Sequence, residues 1–175
     1  LYSTFGHSVL RVNDPVRRFD RCYNNGTFDF EQPNFLLKFC QGKLLYFLDT
    51  EPYRSFEYGN LYDNRPMLEQ VLNLNPEARQ RLFELLQENA LPEHKFYKYD
   101  FFYDNCATRI RDIVQESQFH QIAFDSSSLP LGATMRQLLR PYLKNMPWTN
   151  FGIDLLLGMP ADRVALAEEY MFLPD

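Results

Sequence analysis

Cys106 stands in a context that suits a nucleophile. It lies in Tyr103-Asp104-Asn105-Cys106-Ala107-Thr108, within the first turn of a helix predicted from about Asp104 to Ser117. Helix N-termini carry partial positive charge and free N–H groups. Both favour a thiolate, and the same N–H groups can hold an oxyanion. The plainer reading is a small buried thiol heading the apolar stripe Cys106, Ile110, Ile113, Val114. A thiol nucleophile needs a base, and His7 is the candidate. It sits in Phe5-Gly6-His7-Ser8, where a flexible glycine precedes an apolar strand. The plainer reading there is a satisfied histidine at a strand end. A Cys-His pair also needs a polar group to orient the imidazole. Asp29 and Asn24, both within Tyr23 to Phe30, are the candidates, although turn formation explains either one on its own.

Other chemistries lack the required spacing. The chain has no Cys-x-x-Cys and no His-x-x-x-His, so no zinc site is expected. It has no phosphate-cradling glycine loop and no Gly-x-Ser-x-Gly elbow, and no cofactor is expected. His94 and His120 lie in polar stretches and read as solvated. Cys22 and Cys40 read as structural thiols that could pair in an oxidising compartment. Asp100 and Asp104 read as solvated acids near a helix start. Arg109, Arg111 and Arg136 could bind an anionic head group, but lone helix arginines are more often surface charges. Eighteen Lys+Arg stand against 23 Asp+Glu, for a net charge of -5. That balance excludes the basic face a nucleic-acid partner would need.

The elements that would position these residues divide into a β-rich first half and an α-rich second half. Strands are predicted at Ser8 to Val12, Phe19 to Asn25, Leu44 to Leu48 and Tyr53 to Tyr58. Asn25-Gly26 has the composition of a tight hairpin turn. Asn34 to Cys40 has helical spacing, and Pro66 to Leu74 fits a strand or a helix equally. Asn75-Pro76-Glu77 is a helix start, with an N-cap, a proline at N1 and an acid in the first turn. Its apolar face is Leu82, Phe83, Leu85 and Leu86. Shorter helices are expected at Ala133–Leu139 and Pro160–Met171. The 175 residues, 45% hydrophobic, suffice for one domain with a sizeable core. Aromatics are in excess, at 16 Phe, 11 Tyr and 1 Trp, which suits strands and broad apolar clefts. The chain opens on Leu1 without a basic or apolar leader and has no run long enough to span a bilayer. It is therefore expected to be a soluble piece excised from a longer chain.

Several stretches together resemble the Lnb-type N-terminal periplasmic domain family. They are Leu1 to Val12, Tyr23 to Phe30, Phe35 to Leu48, Asn64 to Leu74, Tyr97 to Ile113 and Pro147 to Arg163. FGHS, YNNGTFDF and DNCAT are the specific pieces. Asn25 departs from the aromatic residue usual there. The order, His7 before Cys106, is also similar to circularly permuted papain-like folds such as lecithin:retinol acyltransferase and a permuted branch of the NlpC-like hydrolases. The resemblance implies an α+β fold, a small mainly antiparallel sheet packed on helices, over a single domain 1–175. It implies Cys106 as nucleophile, His7 as base and Asn24 or Asp29 as the third residue. Asn105, Tyr23 and Arg109 become candidate substrate contacts. The implied activity is acyl transfer at a membrane, from a phospholipid donor to the N-terminal amine of a lipoprotein. The implied location is the periplasm, with anchoring to the inner membrane by helices absent from this chain. A thiol hydrolase (a peptidase or cell-wall amidase) and a non-catalytic lipid- or peptide-binding module are the competing expectations.

Overall fold

Backbone pairing in the first half is antiparallel throughout. The computed structural model of the chain describes residues 5–29, 31, 33–34, 38, 44–123, 127, 129 and 132–174. Strands β1 (Leu10–Asp14), β2 (Phe19–Phe28), β3 (Leu45–Pro52) and β4 (Phe96–Lys98) form one sheet in the order β1-β2-β3-β4. The β1–β2 register runs from Leu10 opposite Tyr23 to Asp14 opposite Phe19. Asp14 Oδ1 accepts the N–H groups of Val16 and Arg17 at 3.0 and 3.1 Å, which turns the chain between them.

Asn25-Gly26 is not a hairpin turn. β2 continues through it to Phe28, and the β2–β3 register shifts between Asn24 and Thr27. The dipeptide forms a bulge: Gly26 takes φ 105°, a conformation glycine adopts without strain. Asn25 is buried in the sheet. Tyr53–Tyr62, whose first half was expected as a strand, is helix α1. Its less exposed residues, Tyr53, Phe56, Glu57 and Asn60, recur at i, i+3, i+4, i+7, while Tyr58 points to solvent. Pro66 to Leu74 forms neither a helix nor a strand. The expected helix at Asn34 to Cys40 lies largely outside the described residues. Its one described bond, Lys38 N–H to Asn34 C=O at 2.9 Å, has helical spacing.

Helix α2 (Pro76–Asn89) starts as its sequence dictates: Asn75 Oδ1 accepts the Ala78 N–H at 2.8 Å, and Pro76 fills N1. Helix α3 (Cys106–Ser117) begins two residues after its expected start. Tyr23, Leu48, Leu82, Leu85, Leu86 and Ile113 form the core between these helices and the sheet, with Leu10, Val12 and Val114 against it. The fold is thus α+β, with a four-stranded antiparallel sheet.

The chain divides into two compact units, Ser8–Gln121 and Leu1–His7 with Ile122–Asp175. The second holds helices α4 (Met135–Leu143) and α5 (Pro147–Leu157) and two short 3-10 turns, Met159–Asp162 and Ala167–Phe172. The helix expected at Pro160–Met171 is these two turns, separated by an extended segment in which Val164 bridges to Thr134.

Candidate active site

The loop before α3 is built to present Cys106. Asp100 and Asp104 exchange backbone hydrogen bonds at 3.0 and 3.1 Å. Asp100 Oδ1 accepts the N–H groups of Phe102 and Tyr103 at 2.9 and 3.0 Å. Both carboxylates expected as solvated acids therefore have local partners, since Asp104 also pairs with Arg109. Asn105 is the N-cap. Its Oδ1 accepts the N–H groups of Ala107 and Thr108 at 2.8 and 3.0 Å, and its Nδ2 donates to the Phe101 carbonyl at 2.6 Å. Thr108 Oγ1 accepts the Asn105 N–H at 2.8 Å, which completes a capping box. Asn105, expected as a substrate contact, is buried and its side chain is engaged in the cap.

Cys106 occupies the first helical position and is partly buried. Burial pushes its thiol above the ordinary value, while backbone hydrogen bonds from Ser8, Ala107 and its own N–H pull the other way. The helix N-terminus thus does act on the sulfur as expected, but desolvation outweighs it. Cys106 is consequently a thiol, not a standing thiolate, near neutral pH. Cys22 is the contrast. It is buried in β2, has a free thiol pushed up to about 11 by burial and by the charge of Glu51, and reads as structural. Cys40 lies outside the described residues.

Tyr97 on β4 is the residue that sequence patterning did not single out. It is 7% exposed, and among the described residues its hydroxyl has no hydrogen-bond partner. Burial raises it well above the ordinary tyrosine value, and the charges of Asp104 and Cys106 add to that rise while Arg109 opposes it. The Arg109 guanidinium lies 3.5 Å from the centre of the Tyr97 ring. It also makes a two-point pair with Asp104, Nε to Oδ1 at 2.6 Å and Nη2 to Oδ2 at 3.0 Å. An orphaned buried hydroxyl is costly, and this one lies within the electrostatic reach of a candidate nucleophile. The only sequence signal was the alternation of Phe96 outward and Tyr97 inward, in a strand just three residues long.

The remaining predicted residues are placed as follows. His7 ends the N-terminal stretch of the smaller unit and is half-buried. The preceding Gly6 has φ 74°, and a Cβ there would sit 3.4 Å from Pro174. Asn24 lies in β2 opposite Asp49, at the edge of the bulge, and is half-buried. Asp29 lies exposed just past the end of β2, and its Oδ1 accepts the Glu31 N–H at 2.8 Å. Tyr23, expected as a substrate contact, is a core residue whose hydroxyl accepts from Gln87 Nε2. Arg136 is not a free surface charge. It is tied to Asp154 and Asp162. His94 and His120 are exposed.

Hollows in the larger unit include two lined by described residues. One, of about 380 Å³, is polar and includes Asn25, Asp104, Arg109 and Glu116 in its lining. The other, of about 480 Å³, is lined by Phe28, Asp29, Leu45, Phe47 and Phe96. Among the described residues no cluster of three His, Cys, Asp or Glu side chains could hold a metal.

In comparison with known families, the profile of the Lnb N-terminal periplasmic domain matches residues 1–141. That span takes in His7, the whole sheet and α3. It stops before α5, so the Pro147 to Arg163 stretch that carried part of the resemblance lies outside it. No characterised protein and no solved structure matches the chain.

Proposed function

The chain belongs to the Lnb N-terminal periplasmic domain family, a family of periplasmic domains, and on that premise we propose that it is a cysteine-nucleophile acyltransferase. In this reading it works at the inner-membrane surface, on a circularly permuted papain-like fold. It takes an acyl chain from a phospholipid and delivers it to the N-terminal amine of a lipoprotein through a thioester on Cys106.

His7 accepts the Cys106 proton, and the sulfur attacks the ester carbonyl. The carbonyl electrons move onto oxygen, then return as the C–O bond breaks. The departing lysolipid oxygen takes the proton back from His7, leaving the thioester. The lipoprotein amine attacks the thioester carbonyl, the C–S bond breaks and an amide forms. The proton lost by the amine passes through His7 to the Cys106 sulfur, which restores the start. Asn24, half-buried in a paired strand, is the better orienting residue for His7, because Asp29 is exposed and its carboxylate is engaged in its own turn. The Cys106 N–H and the Tyr97 hydroxyl hold the oxyanion. The aromatic hollow of about 480 Å³ is the candidate trough for the acyl chain.

The observation that supports this reading is the setting of Cys106. Its sulfur is cradled by backbone donors, with a buried hydroxyl that is unpartnered among the described residues in electrostatic reach. A thiol raised by burial also needs a base, which is the role given to His7. The test is intact mass after incubation with phospholipid vesicles. The expected product is an acyl adduct on the wild-type chain, absent from folded Cys106→Ala and at least about a hundredfold slower in His7→Ala. An unmodified Cys106, or cleavage of peptide or muropeptide substrates without an adduct, overturns the transferase reading. The second of these results assigns the domain to thiol hydrolysis.

A further inference from the structure

Helix α5 is folded inside out. Its 11 residues, Pro147–Leu157, include no buried residue. At 3.6 residues per turn, Trp148, Phe151, Leu155 and Leu156 fall within about 140° of arc. These four are the outward side, 85, 65, 74 and 85% exposed. The less exposed side is Asn150, Ile153, Asp154 and Leu157. Soluble helices do the reverse: they bury the apolar stripe and show the carboxylate to water. Met159, just past the helix, extends the apolar surface and is itself exposed.

The inversion is held in place. Arg136 on α4 donates from Nη1 to Asp154 Oδ1 at 2.5 Å and to the Asp154 carbonyl at 3.0 Å. Its Nη2 reaches the Gly158 carbonyl at 2.7 Å, and its Nε reaches Asp162 Oδ1 at 2.7 Å. One half-buried guanidinium therefore binds the only ionisable side chain of α5, the carbonyl just after its C-terminus and the following turn. No charged group is left on the outward face.

We propose that α5 is an interfacial helix that lays its Trp148–Leu156 face into the surface of a lipid bilayer. At 1.5 Å per residue it is about 16 Å long, too short to cross the roughly 30 Å of hydrocarbon, and among the described residues no helix is long and apolar enough to do so. An apolar helix face with a tryptophan is the form that lies in the interface instead. Charge favours the same occupant. Of the acids described in this unit, Asp154, Asp162 and Glu169 are paired with Arg136 and Arg163, and Glu168 is exposed. Arg140 and Lys144, at the end of α4 and a few residues before Trp148, are exposed, although Arg140 also acts on Asp162. Anionic lipid headgroups are the complement to such cations. A protein partner or a second copy would meet the apolar face but, unlike a bilayer, would not supply headgroup anions to the exposed Arg140 and Lys144.

The inference deepens the membrane part of the proposed function but does not rest on thiol chemistry. Trp148 is the only tryptophan in the chain, so its fluorescence reports on α5 alone. The wild-type chain is titrated with vesicles of phosphatidylcholine, and of phosphatidylcholine mixed with phosphatidylglycerol. The expected result is a blue shift with both, quenching by lipids brominated near the headgroup end of the acyl chains, and tighter binding to the anionic vesicles. Phe151→Ser/Leu155→Ser/Leu156→Ser, whose side chains support no packing, is expected to bind at least about tenfold more weakly. Arg140→Ala/Lys144→Ala is expected to lose about fivefold per charge on anionic vesicles only. No shift and no co-sedimentation with either vesicle overturns the inference. So does a shift that follows protein concentration without lipid, which marks self-association, or unchanged binding by the triple variant. Acylation of Cys106 by a short-chain, water-soluble ester needs no membrane. It separates failure of α5 docking from failure of the thiol chemistry.

Discussion

Replacing Tyr97 by phenylalanine is expected to move stability and activity in opposite directions. The hydroxyl belongs to a side chain only 7% exposed and has no partner among the described residues. Burying a hydroxyl without a hydrogen bond costs about 1–3 kcal/mol on the scale of protein substitutions. Phenylalanine removes that cost while the ring keeps its place under Arg109, which lies 3.5 Å from the ring centre. The cation–π contact survives in weaker form, and losing part of it returns about 0.5 kcal/mol. The net expectation is a gain of about 1 kcal/mol, a rise of several degrees in Tm for a domain of this size. If the hydroxyl holds the oxyanion, the same variant loses about 10²–10³ in the rate of acyl transfer. Urea denaturation measures the first quantity, and the rate of adduct formation on Cys106 measures the second. A variant destabilised by more than about 1 kcal/mol would show that the hydroxyl has a structural partner after all. A stable variant with full activity would remove Tyr97 from the mechanism.

Three further perturbations test the frame around the site. Asn105→Ala removes two accepted hydrogen bonds and one donated bond in a buried cap, so a loss of at least about 2 kcal/mol is expected in urea denaturation; Asn105→Asp, which keeps the acceptor, should recover part of it. Cys22 is pushed up from 9.0 to about 11, so its contribution is complete below pH 9 and is lost as pH rises to about 11. Wild type should lose about 2–3 kcal/mol more stability over that window than Cys22→Ala, as read from paired urea curves at each pH. Arg11 makes two-point pairs with Asp20 and Glu69 and stacks 3.4 Å from the Tyr53 ring centre. Arg11→Lys cannot reproduce that fork and is expected to cost about 1–2 kcal/mol at neutral pH. Because Arg11 holds the Asp20 carboxyl below its ordinary value, the difference should shrink as the solution is acidified below pH 4.

What was legible in the sequence is what local chemistry decides. Asn75-Pro76 and Asn105-Cys106 mark helix starts because a cap needs only the next three residues. Asn25-Gly26 was misread because the same dipeptide serves a hairpin turn and a bulge. The choice belongs to β3, which pairs with β2 on both sides of it. Tyr53 to Tyr58 was misread because an alternation of aromatic and polar residues does not reveal that Tyr58 faces solvent. Tyr97 is visible only once a three-residue strand docks on β3 and α3 brings Arg109 over its ring. Arg136 reads as a surface charge until Asp154 and Asp162, 18 and 26 residues away, close on it. Apart from Tyr53 to Tyr58, each miss is a non-local contact overriding a correct local tendency.

The two described thiols show how the same residue is made inert or useful. Burial raises both, and in a periplasmic domain that matters, because the compartment is oxidising and a thiolate is the form that oxidises. Cys22 receives no offsetting backbone donor and has Glu51 nearby, and the charge of Arg11, which opposes the rise, does not outweigh burial. Cys106 is raised by burial but faces three backbone N–H groups, which stabilise negative charge on sulfur whenever it forms. Such a thiol rests protonated and ionises when a base takes its proton. A base at His7 would therefore show itself in alkylation kinetics. With iodoacetamide, wild-type Cys106 should already react at pH values where a thiol raised by burial alone stays protonated. In His7→Ala it should fall back to the raised thiol alone, with its rise above pH 9. Identical profiles in the two proteins would leave Cys106 without its base, and the acyl-transfer mechanism with it.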